Sequence, residues 1–267
     1  METIQTKMSL KGRVAIVTGG CGHLGRTMAH TLAEAGADIV IVDIREDAIQ
    51  SFCTGLETTW NIKTLGLAVD LENEDQRRAV AGKVIEKFGH IDILINNAAF
   101  VGTSNLTGWG VTFDKQETGT WRRALEVNLT AVFDLIQTAA PYLKASGHGS
   151  IINVASIYGI VGPDPRLYEG LDMFNPAAYA ASKGGVVQFT KWCSTVLAPE
   201  VRVNAITPGG IFRGHQDSFL SRYESRTPLK RMAKEEDFIG ATIFLASDLS
   251  QYITGQNIVV DGGFSVW

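Results

Sequence analysis

The sequence is poor in cysteine, has a small net charge and has no long apolar run. It contains three cysteines in 267 residues, and no two of them have the spacing of a metal or redox motif. We therefore expect no metal site and a reduced, cytoplasmic environment. The formal net charge of −4 does not favour a nucleic-acid-binding surface, which needs clustered lysine and arginine. No apolar run approaches the length of a membrane span, and the N-terminus lacks the apolar segment of a secretory signal.

Short apolar runs alternate with longer amphipathic segments along the whole chain. The predicted strands are 13–18, 38–43, 63–69, 91–95, 150–154, 201–206 and 257–261, and the predicted helices are 24–35, 46–58, 72–88, 118–143, 177–197 and 234–246. The strands are continuous apolar runs, as in a parallel sheet covered on both faces. This pattern predicts a single α/β domain over residues 1–267, a doubly wound parallel sheet with a loose tail at 1–9. Functional residues should follow the C-terminal strand ends.

A glycine-rich loop joins the first predicted strand to the first predicted helix. Its sequence is Thr-Gly-Gly-Cys-Gly-His-Leu-Gly, over residues 18–25. Glycines let the backbone come close to a pyrophosphate, and the helix N-terminus presents free N–H groups to the phosphates. The alternative is a purely structural turn, which the flanking strand and helix and a downstream acidic residue disfavour. We expect cofactor contacts from Thr18, Gly19, Cys21, His23, Leu24 and Gly25.

Asp43 ends the second predicted strand, about 20 residues after the glycine loop, where the dinucleotide fingerprint places an acidic residue. A carboxylate there accepts hydrogen bonds from the adenosine ribose and repels a 2′-phosphate. We therefore predict NAD in preference to NADP, with Ile44 also in contact and Arg45 as the residue that would weaken the preference. The second interpretation of Asp43 is a helix N-cap.

Two further strand ends are candidate cofactor contacts. Asp70 and Leu71 follow the third predicted strand, where Asp70 either bonds the adenine edge or caps a helix. Asn97, Ala98 and Ala99 follow the fourth strand, where small residues let the backbone lie against a cofactor. The alternative for this second group is a tight turn.

Tyr179 and Lys183 lie four residues apart at the start of a predicted helix, which places both on one face. A nearby ammonium favours the phenolate, so Tyr179 can carry a proton to or from an alcohol. Ser156 follows the preceding strand at the same edge of the sheet, where its hydroxyl can hold a substrate oxygen. Asn128 lies among apolar residues of a long predicted helix and is either part of the site or a structural kink.

These motifs together resemble the short-chain dehydrogenase/reductase family over nearly the whole chain. The resemblance is carried by Thr18-Gly19 with Gly25, Asp43, Asp70, Asn96-Asn97-Ala98, Asn128, Ser156, Tyr179, Lys183 and Pro208-Gly209. It implies a Rossmann-type sheet of about seven strands and an NAD(P)-dependent oxidoreductase. It further implies Tyr179 as general acid/base, Lys183 as the group that lowers its pKa and binds the nicotinamide ribose, Ser156 as substrate orienter and Asn128 as holder of a relay water.

The same resemblance implies that Pro208, Gly209 and Ile211 abut the nicotinamide. The chain departs from the family's pattern at two positions. His23 stands where the glycine loop usually has glycine, and we expect it to be an exposed residue at a helix start. Ala99 replaces the glycine that usually follows Asn-Asn-Ala, a small change.

Two segments are expected to select the substrate. An insert at 157–178, longer than the family usually shows, runs from Ser156 to Tyr179 and is polar and aromatic. It either borders the substrate or contacts a neighbouring subunit. Residues 211–232 resemble the family's substrate lid. Its basic side chains either meet an anionic group or are solvated; they are Arg213, His215, Arg222 and Arg226. With Ser156 and Tyr158, Arg213 is a candidate substrate contact, and the substrate is expected to be a polar small molecule, a sugar or sugar-acid derivative.

Apolar residues on more than one face of helices 118–143 and 177–197 predict burial against a second subunit, and the family is commonly tetrameric. We therefore expect a homotetramer or homodimer. Two other functions stay open. One is a nucleotide-sugar epimerase or dehydratase with bound NAD, and the other is a non-catalytic dinucleotide-binding regulator.

Overall fold

The computed structural model describes residues 3–101, 104 and 106–267. Its centre is one seven-stranded parallel sheet with the order β3-β2-β1-β4-β5-β6-β7. The strands are β1 Val14–Thr18, β2 Asp38–Asp43, β3 Thr64–Ala68, β4 Ile93–Asn96, β5 Gly149–Val154, β6 Val201–Pro208 and β7 Asn257–Val260. The predicted doubly wound sheet is confirmed.

Both faces of the sheet are buried, which explains why its strands are apolar without alternation. Val14 and Ile16 of β1 belong to one hydrophobic cluster, whereas Ala15 and Val17 belong to the cluster on the opposite face. The covering helices are α2 His23–Glu34, α3 Glu46–Trp60, α4 Glu74–Arg78, α5 Val80–Phe88, α6 Thr118–Leu125, α7 Ala131–Ser146, α8 Ala177–Val196 and α10 Ile239–Ala246. Among the helices of the described residues, none is both long and apolar enough to cross a membrane.

Several predicted helices are less regular than expected. The tail at 1–9 is not loose throughout, because Ile4–Met8 forms a short helix, α1, whose first turn is capped by Thr3. The predicted helix 72–88 is divided at Ala79 into α4 and α5. The predicted helix 118–143 is interrupted by a π-helical turn at Glu126–Thr130, and 234–246 begins as a 3₁₀ turn at Glu235–Phe238.

The strand order reverses direction between β1 and β4, so the loops after these two strands diverge and leave a crevice. A third hydrophobic cluster lies beside this edge of the sheet. It joins the insert to α9 Asp217–Arg226 and the C-terminal segment, through Ile157, Leu167, Tyr168, Phe219, Tyr223, Met232 and Phe264. The fold therefore brings the insert and the lid together at the edge where ligands of such sheets bind.

Candidate active site

The glycine loop packs tightly against the loop that follows β4. Gly19 has a φ of +59°, and a Cβ there would lie 2.9 Å from the Cα of Ala98. A Cβ on Gly25 would overlap the carbonyl oxygen of Gly19. Asn97 braces the turn, because its Nδ2 donates to the carbonyl oxygens of Thr18 at 2.9 Å and Gly19 at 3.2 Å. Only glycine fits at these two loop positions.

The first turn of α2 follows directly and has no side-chain cap, since Gly22 is its N-cap residue. Its backbone N–H groups are therefore not taken up by a capping side chain. The tight loop and the uncapped helix N-terminus fit the pyrophosphate of a dinucleotide. His23 is the first residue of the helix and its side chain is 74% exposed, as expected.

Asp43 is buried and joins the glycine loop to the end of β2. Its Oδ2 accepts a hydrogen bond from the Cys21 backbone N–H at 2.9 Å, and its Oδ1 accepts from the backbone and side-chain nitrogens of Arg45 at 3.2 Å. The N-cap residue of α3 is Arg45, so Asp43 does not cap this helix. Ile44 beside it is 66% exposed. This carboxylate and exposed apolar surface fit an adenosine ribose and its base.

The loop after β3 is held by short-range bonds. Asp70 accepts the Glu72 backbone N–H at 2.9 Å, and the N-cap of α4 is Asn73. The carbonyl oxygens of Leu71 and Glu72 accept from the buried Arg77 guanidinium at 3.0 and 3.3 Å. Asp70 therefore stabilises the turn before α4 without being its cap residue.

Asn128 lies in the π-helical turn and is 1% exposed. Its Oδ1 accepts the Phe100 backbone N–H at 2.7 Å, and its Nδ2 donates to the Phe100 carbonyl at 3.1 Å and to the Ser182 hydroxyl at 3.2 Å. Such π-bulges occur often at functional sites. Asn128 thus joins the loop after β4 to the helix that carries Tyr179.

Ser156, Tyr179 and Lys183 meet at the C-terminal end of β5. The Lys183 Nζ donates to the Val154 carbonyl at 2.7 Å and lies 5.9 Å from the centroid of the Tyr179 ring. Burial lowers the pKa of Lys183 to about 8. Burial also raises the pKa of Tyr179, and a hydrogen bond with Ser156 acts in the opposite direction. The arrangement can hold a proton on the phenol and release it to, or take it from, an oxygen beside Ser156.

The loop after β6 is held by a residue of the lid helix α9. Pro208 ends β6, the Gly209 N–H donates to the Val260 carbonyl at 2.9 Å, and the Gly210 N–H donates to the Tyr223 hydroxyl at 2.5 Å. Ile211 then pairs with Ala233 in an isolated bridge. Tyr223 was not predicted from the sequence.

The insert is bonded to the lid. Asp164 accepts from the guanidinium of Arg226, and the Arg222 guanidinium donates to the Glu169 carbonyl at 2.6 Å. Arg213 forms an ion pair with Glu235. These three lid arginines therefore have protein partners and are not simply solvated, and the fourth, Arg231, pairs with Asp237. His215 stacks on Phe219 with a centroid distance of 5.1 Å, and burial lowers its pKa.

Two tyrosines of the insert form a hydroxyl pair. Tyr158 follows Ser156 by two residues, and its backbone N–H donates to the Ser156 hydroxyl at 3.2 Å. The hydroxyls of Tyr158 and Tyr168 are 2.7 Å apart, and either can donate. Tyr168 packs against Phe174 and Phe219, with ring centroids 5.4 and 5.6 Å away. Tyr168 was not among the residues predicted to bind substrate.

Comparison with known proteins agrees with this geometry. Residues 22–265 match the family model described as enoyl-(acyl carrier protein) reductase. A 3-oxoacyl-(acyl-carrier-protein) reductase of Thermotoga maritima is 33% identical, covering 97% of this chain and 100% of the relative.

Solved structures are similar over nearly the whole chain. A gluconate 5-dehydrogenase from Burkholderia cenocepacia, in complex with NADP and tartrate, has a TM-score of 0.88 and 30% identity, covering 99% of this chain and 100% of that one. An NAD⁺-bound xylitol dehydrogenase has a TM-score of 0.83 and 27% identity, covering 95% of this chain and 99% of that one.

Proposed function

The chain belongs to the short-chain dehydrogenase/reductase family of oxidoreductases, and from this premise we propose that it interconverts a secondary alcohol and a ketone by hydride transfer, with NAD and with Tyr179 as general acid/base. The observation that carries the proposal is the meeting of Ser156, Tyr179 and Lys183 at the end of β5, on the same sheet edge as the glycine loop.

In the oxidising direction Tyr179 takes the proton of the substrate hydroxyl, while Ser156 holds the same oxygen by a hydrogen bond. The carbon–hydrogen bond then breaks with its electron pair, and the carbon–oxygen bond becomes a carbonyl. When bound, the dinucleotide supplies the acceptor for this hydride, or its donor in the reverse direction. Lys183 favours the phenolate of Tyr179 while it carries a proton, because an ammonium close to a phenol stabilises its charged form. Asn128 holds the π-helical turn against the Phe100 backbone, and we propose that it also holds a water for the proton's path.

The preference for NAD follows from Asp43. Its carboxylate lies at the end of β2 and is stabilised by the Cys21 backbone N–H and by Arg45, so it remains an acceptor for ribose hydroxyls. A 2′-phosphate would meet this negative charge at short range. Arg45 is 57% exposed and can turn toward such a phosphate, which makes NADP the alternative.

Kinetics with both cofactors test the preference. We expect a higher kcat/KM with NAD, and a shift toward NADP of about tenfold or more in Asp43→Asn, since one unfavourable charge contact is worth at least about 1.4 kcal/mol at close range. A native preference for NADP would reject this part of the proposal, and an Arg45→Gln variant would then show whether Arg45 is the cause.

We propose a polyhydroxylated substrate, a sugar or sugar-acid derivative. Tyr158 of the insert bonds to Ser156 through its backbone N–H, and its hydroxyl bonds to that of Tyr168; this pair of hydroxyls is suited to bond a substrate hydroxyl. Two structural neighbours are named for their action on compounds of this class, gluconate and xylitol. Arg213 pairs with Glu235, so its proposed contact with substrate requires that pair to open.

We also propose that the protein is a homotetramer or homodimer. Phe133 of α7 and Phe189 and Trp192 of α8 form a run of aromatic contacts, in which Phe189 and Trp192 stack with centroids 5.9 Å apart. Phe133 is 42% and Trp192 56% exposed, which leaves an apolar surface on the side of both helices away from the sheet. Light scattering after size exclusion tests this, and a monomer at micromolar concentration would oppose it.

An NAD-linked screen over sugars, alditols, aldonates, simple alcohols and a 3-ketoacyl thioester tests the function as a whole. Net change in NADH absorbance with an alditol or aldonate supports the proposal. Turnover of the thioester alone would replace it with an acyl reductase. A product without net NADH change would indicate an epimerase or dehydratase, and cofactor binding without any product would indicate a regulator.

A further inference from the structure

The insert brings two phenols to the substrate side of the site, and both are held in place. Tyr168 is 7% exposed and is packed between Phe174 and Phe219, so its ring cannot rotate freely. Tyr158 is joined to Ser156 through its backbone N–H and to Tyr168 through its hydroxyl. The pair therefore holds a defined position relative to the reacting oxygen.

The two hydroxyls have bonding capacity left over. Each hydroxyl offers one proton and two acceptor lone pairs, and the bond between them uses one proton and one lone pair. One donor and several acceptor sites remain for a third group. Burial raises the pKa of both tyrosines, so the pair remains neutral.

A cleft adjoins the insert, and Tyr168 is part of its lining. It has a volume of about 440 Å³ and lies between Gly110–Lys115 on one wall and Pro165–Phe174 on the other. The charged side chains on its walls are two basic and two acidic groups: Lys115, Arg166, Glu169 and Asp172. They cancel formally, so the cleft favours a polar ligand without net charge over an anion.

Three arginines of the lid that could meet an anionic substrate are held by protein partners. Arg226 is bonded to Asp164, Arg222 to backbone carbonyls of the insert, and Arg213 to Glu235. An anion that bound to one of these three arginines would have to break its existing contact, whereas an uncharged hydroxyl needs only the tyrosine pair.

Resting on the proposed function and narrowing it, we infer that Tyr158 and Tyr168 together bind a second hydroxyl of an uncharged, polyhydroxylated substrate, and that the adjoining cleft holds the rest of its carbon chain. The pair is thus a specificity element. It distinguishes an alditol or neutral sugar from an alcohol with a single hydroxyl, which leaves the two phenols without a third partner.

The test compares kcat/KM for a five- or six-carbon alditol with that for a secondary alcohol that has one hydroxyl. Tyr158→Phe and Tyr168→Phe keep the rings and remove one hydroxyl each, and each should lower the alditol-to-monoalcohol ratio about tenfold, as expected when a bound polar group loses its partner. The double variant should lose little more than either single one, because the two hydroxyls act as a unit. The control is Tyr252→Phe, whose side chain is fully exposed and should leave both rates unchanged.

A second variant tests the cleft without touching the tyrosines. Thr112 is an exposed residue on the cleft wall, and Thr112→Trp should raise KM for the long alditol more than KM for a three- or four-carbon alcohol. Melting temperature and NADH binding, measured by fluorescence, show whether each variant is folded.

Four outcomes would overturn the inference. They are an unchanged ratio in both folded phenylalanine variants, an equal loss on both substrates, failure of Thr112→Trp to distinguish chain length, and a native preference for an aldonate over the alditol of equal length. Absence of any NADH-linked turnover by the native protein and Tyr252→Phe would instead reject the proposed function itself.

Discussion

The two sides of the candidate site are built in different ways. On the cofactor side, side chains at the ends of β2 and β4 bond to backbone groups of the glycine loop, as Asp43 does to Cys21 and Asn97 to Thr18, and there is no room for a Cβ at Gly19 or Gly25. On the substrate side, side chains bond to side chains across distant segments, as in Asp164 with Arg226 and Tyr158 with Tyr168. A backbone site tolerates little change, whereas a side-chain site can be altered one residue at a time. This difference indicates that substrate selection can diverge while the cofactor site is kept.

Tyr179 lies between the cofactor side and the substrate side, and its substitution should have the largest effect on activity. Tyr179→Phe removes the proton carrier but keeps the ring that lies over Lys183, so kcat/KM should fall about a thousandfold, within the usual range for loss of a general acid/base. NADH binding, followed by fluorescence, should change little. Tyr142→Phe on the surface of α7 is the matched control. Activity within tenfold of the native protein would remove Tyr179 from its proposed role.

The tight packing of the cofactor side predicts the next effect. Gly25→Ala forces a methyl group onto the Gly19 carbonyl, and we expect a loss of about 1 to 3 kcal/mol in the free energy of unfolding and weaker NADH binding by tenfold or more. The control is Gly82→Ala in α5, where a Cβ meets nothing within 4 Å and should stabilise the helix by up to about 1 kcal/mol. Equal NADH affinity in both variants would contradict the conclusion that the glycine loop has no room for a side chain at Gly25.

This contrast also explains what could be predicted from the sequence. The strands, the glycine loop and Asp43 were predicted because each depends on residues close in the chain: the apolar runs, the glycines, and an acidic residue at a strand end. Thr18 and Asn97 were placed correctly at adjoining strand ends, and the structure joins them by hydrogen bonds.

The substrate side depends on contacts between segments far apart in the chain, and there the predictions were incomplete. Tyr168 meets Phe219 and Tyr223 meets Gly210 only after the insert and the lid have folded onto the sheet. A kink at Asn128 was one of two alternatives predicted from the sequence, but its π-helical form was not predicted. The two bonds of Asn128 with the Phe100 backbone are tertiary contacts. Periodicity in the sequence can describe only a regular helix at that position.

The lowered pKa of Lys183 predicts a smaller effect, a pH dependence of the free energy of unfolding. Its folded-state pKa of about 8 lies below the ordinary value of 10.5, so the unfolded chain binds more protons between these values and the stability of the cofactor-free protein rises with pH there. Lys183→Met removes this rise. The native protein should therefore gain on the order of 2 kcal/mol in free energy of unfolding over the variant as the pH rises from about 7 to 10.

The absolute difference at any one pH is less informative, because the Val154 carbonyl loses its donor in the variant. Chemical denaturation across the pH range gives the required slope. Lys191→Met, on an exposed face of the same helix, should show no comparable slope. If the difference in free energy of unfolding between Lys183→Met and the native protein does not change with pH, burial does not destabilise the charged form of Lys183.

The smallest expected effect is the one that most directly tests the side-chain construction of the substrate side. Asp164 and Arg226 join the insert to α9 at 13% and 30% side-chain exposure, so a double-mutant cycle of Asp164→Asn and Arg226→Gln should give a coupling of about 1 kcal/mol. Because the pair holds the segment that carries Tyr168, each single variant should raise KM for the substrate severalfold while NADH binding stays unchanged. Arg166→Gln, which removes the more exposed partner of the same carboxylate, should change KM less. If NADH binding weakens as much as substrate binding does, the two sides of the site are not built independently, and the division between a fixed cofactor side and an adaptable substrate side fails.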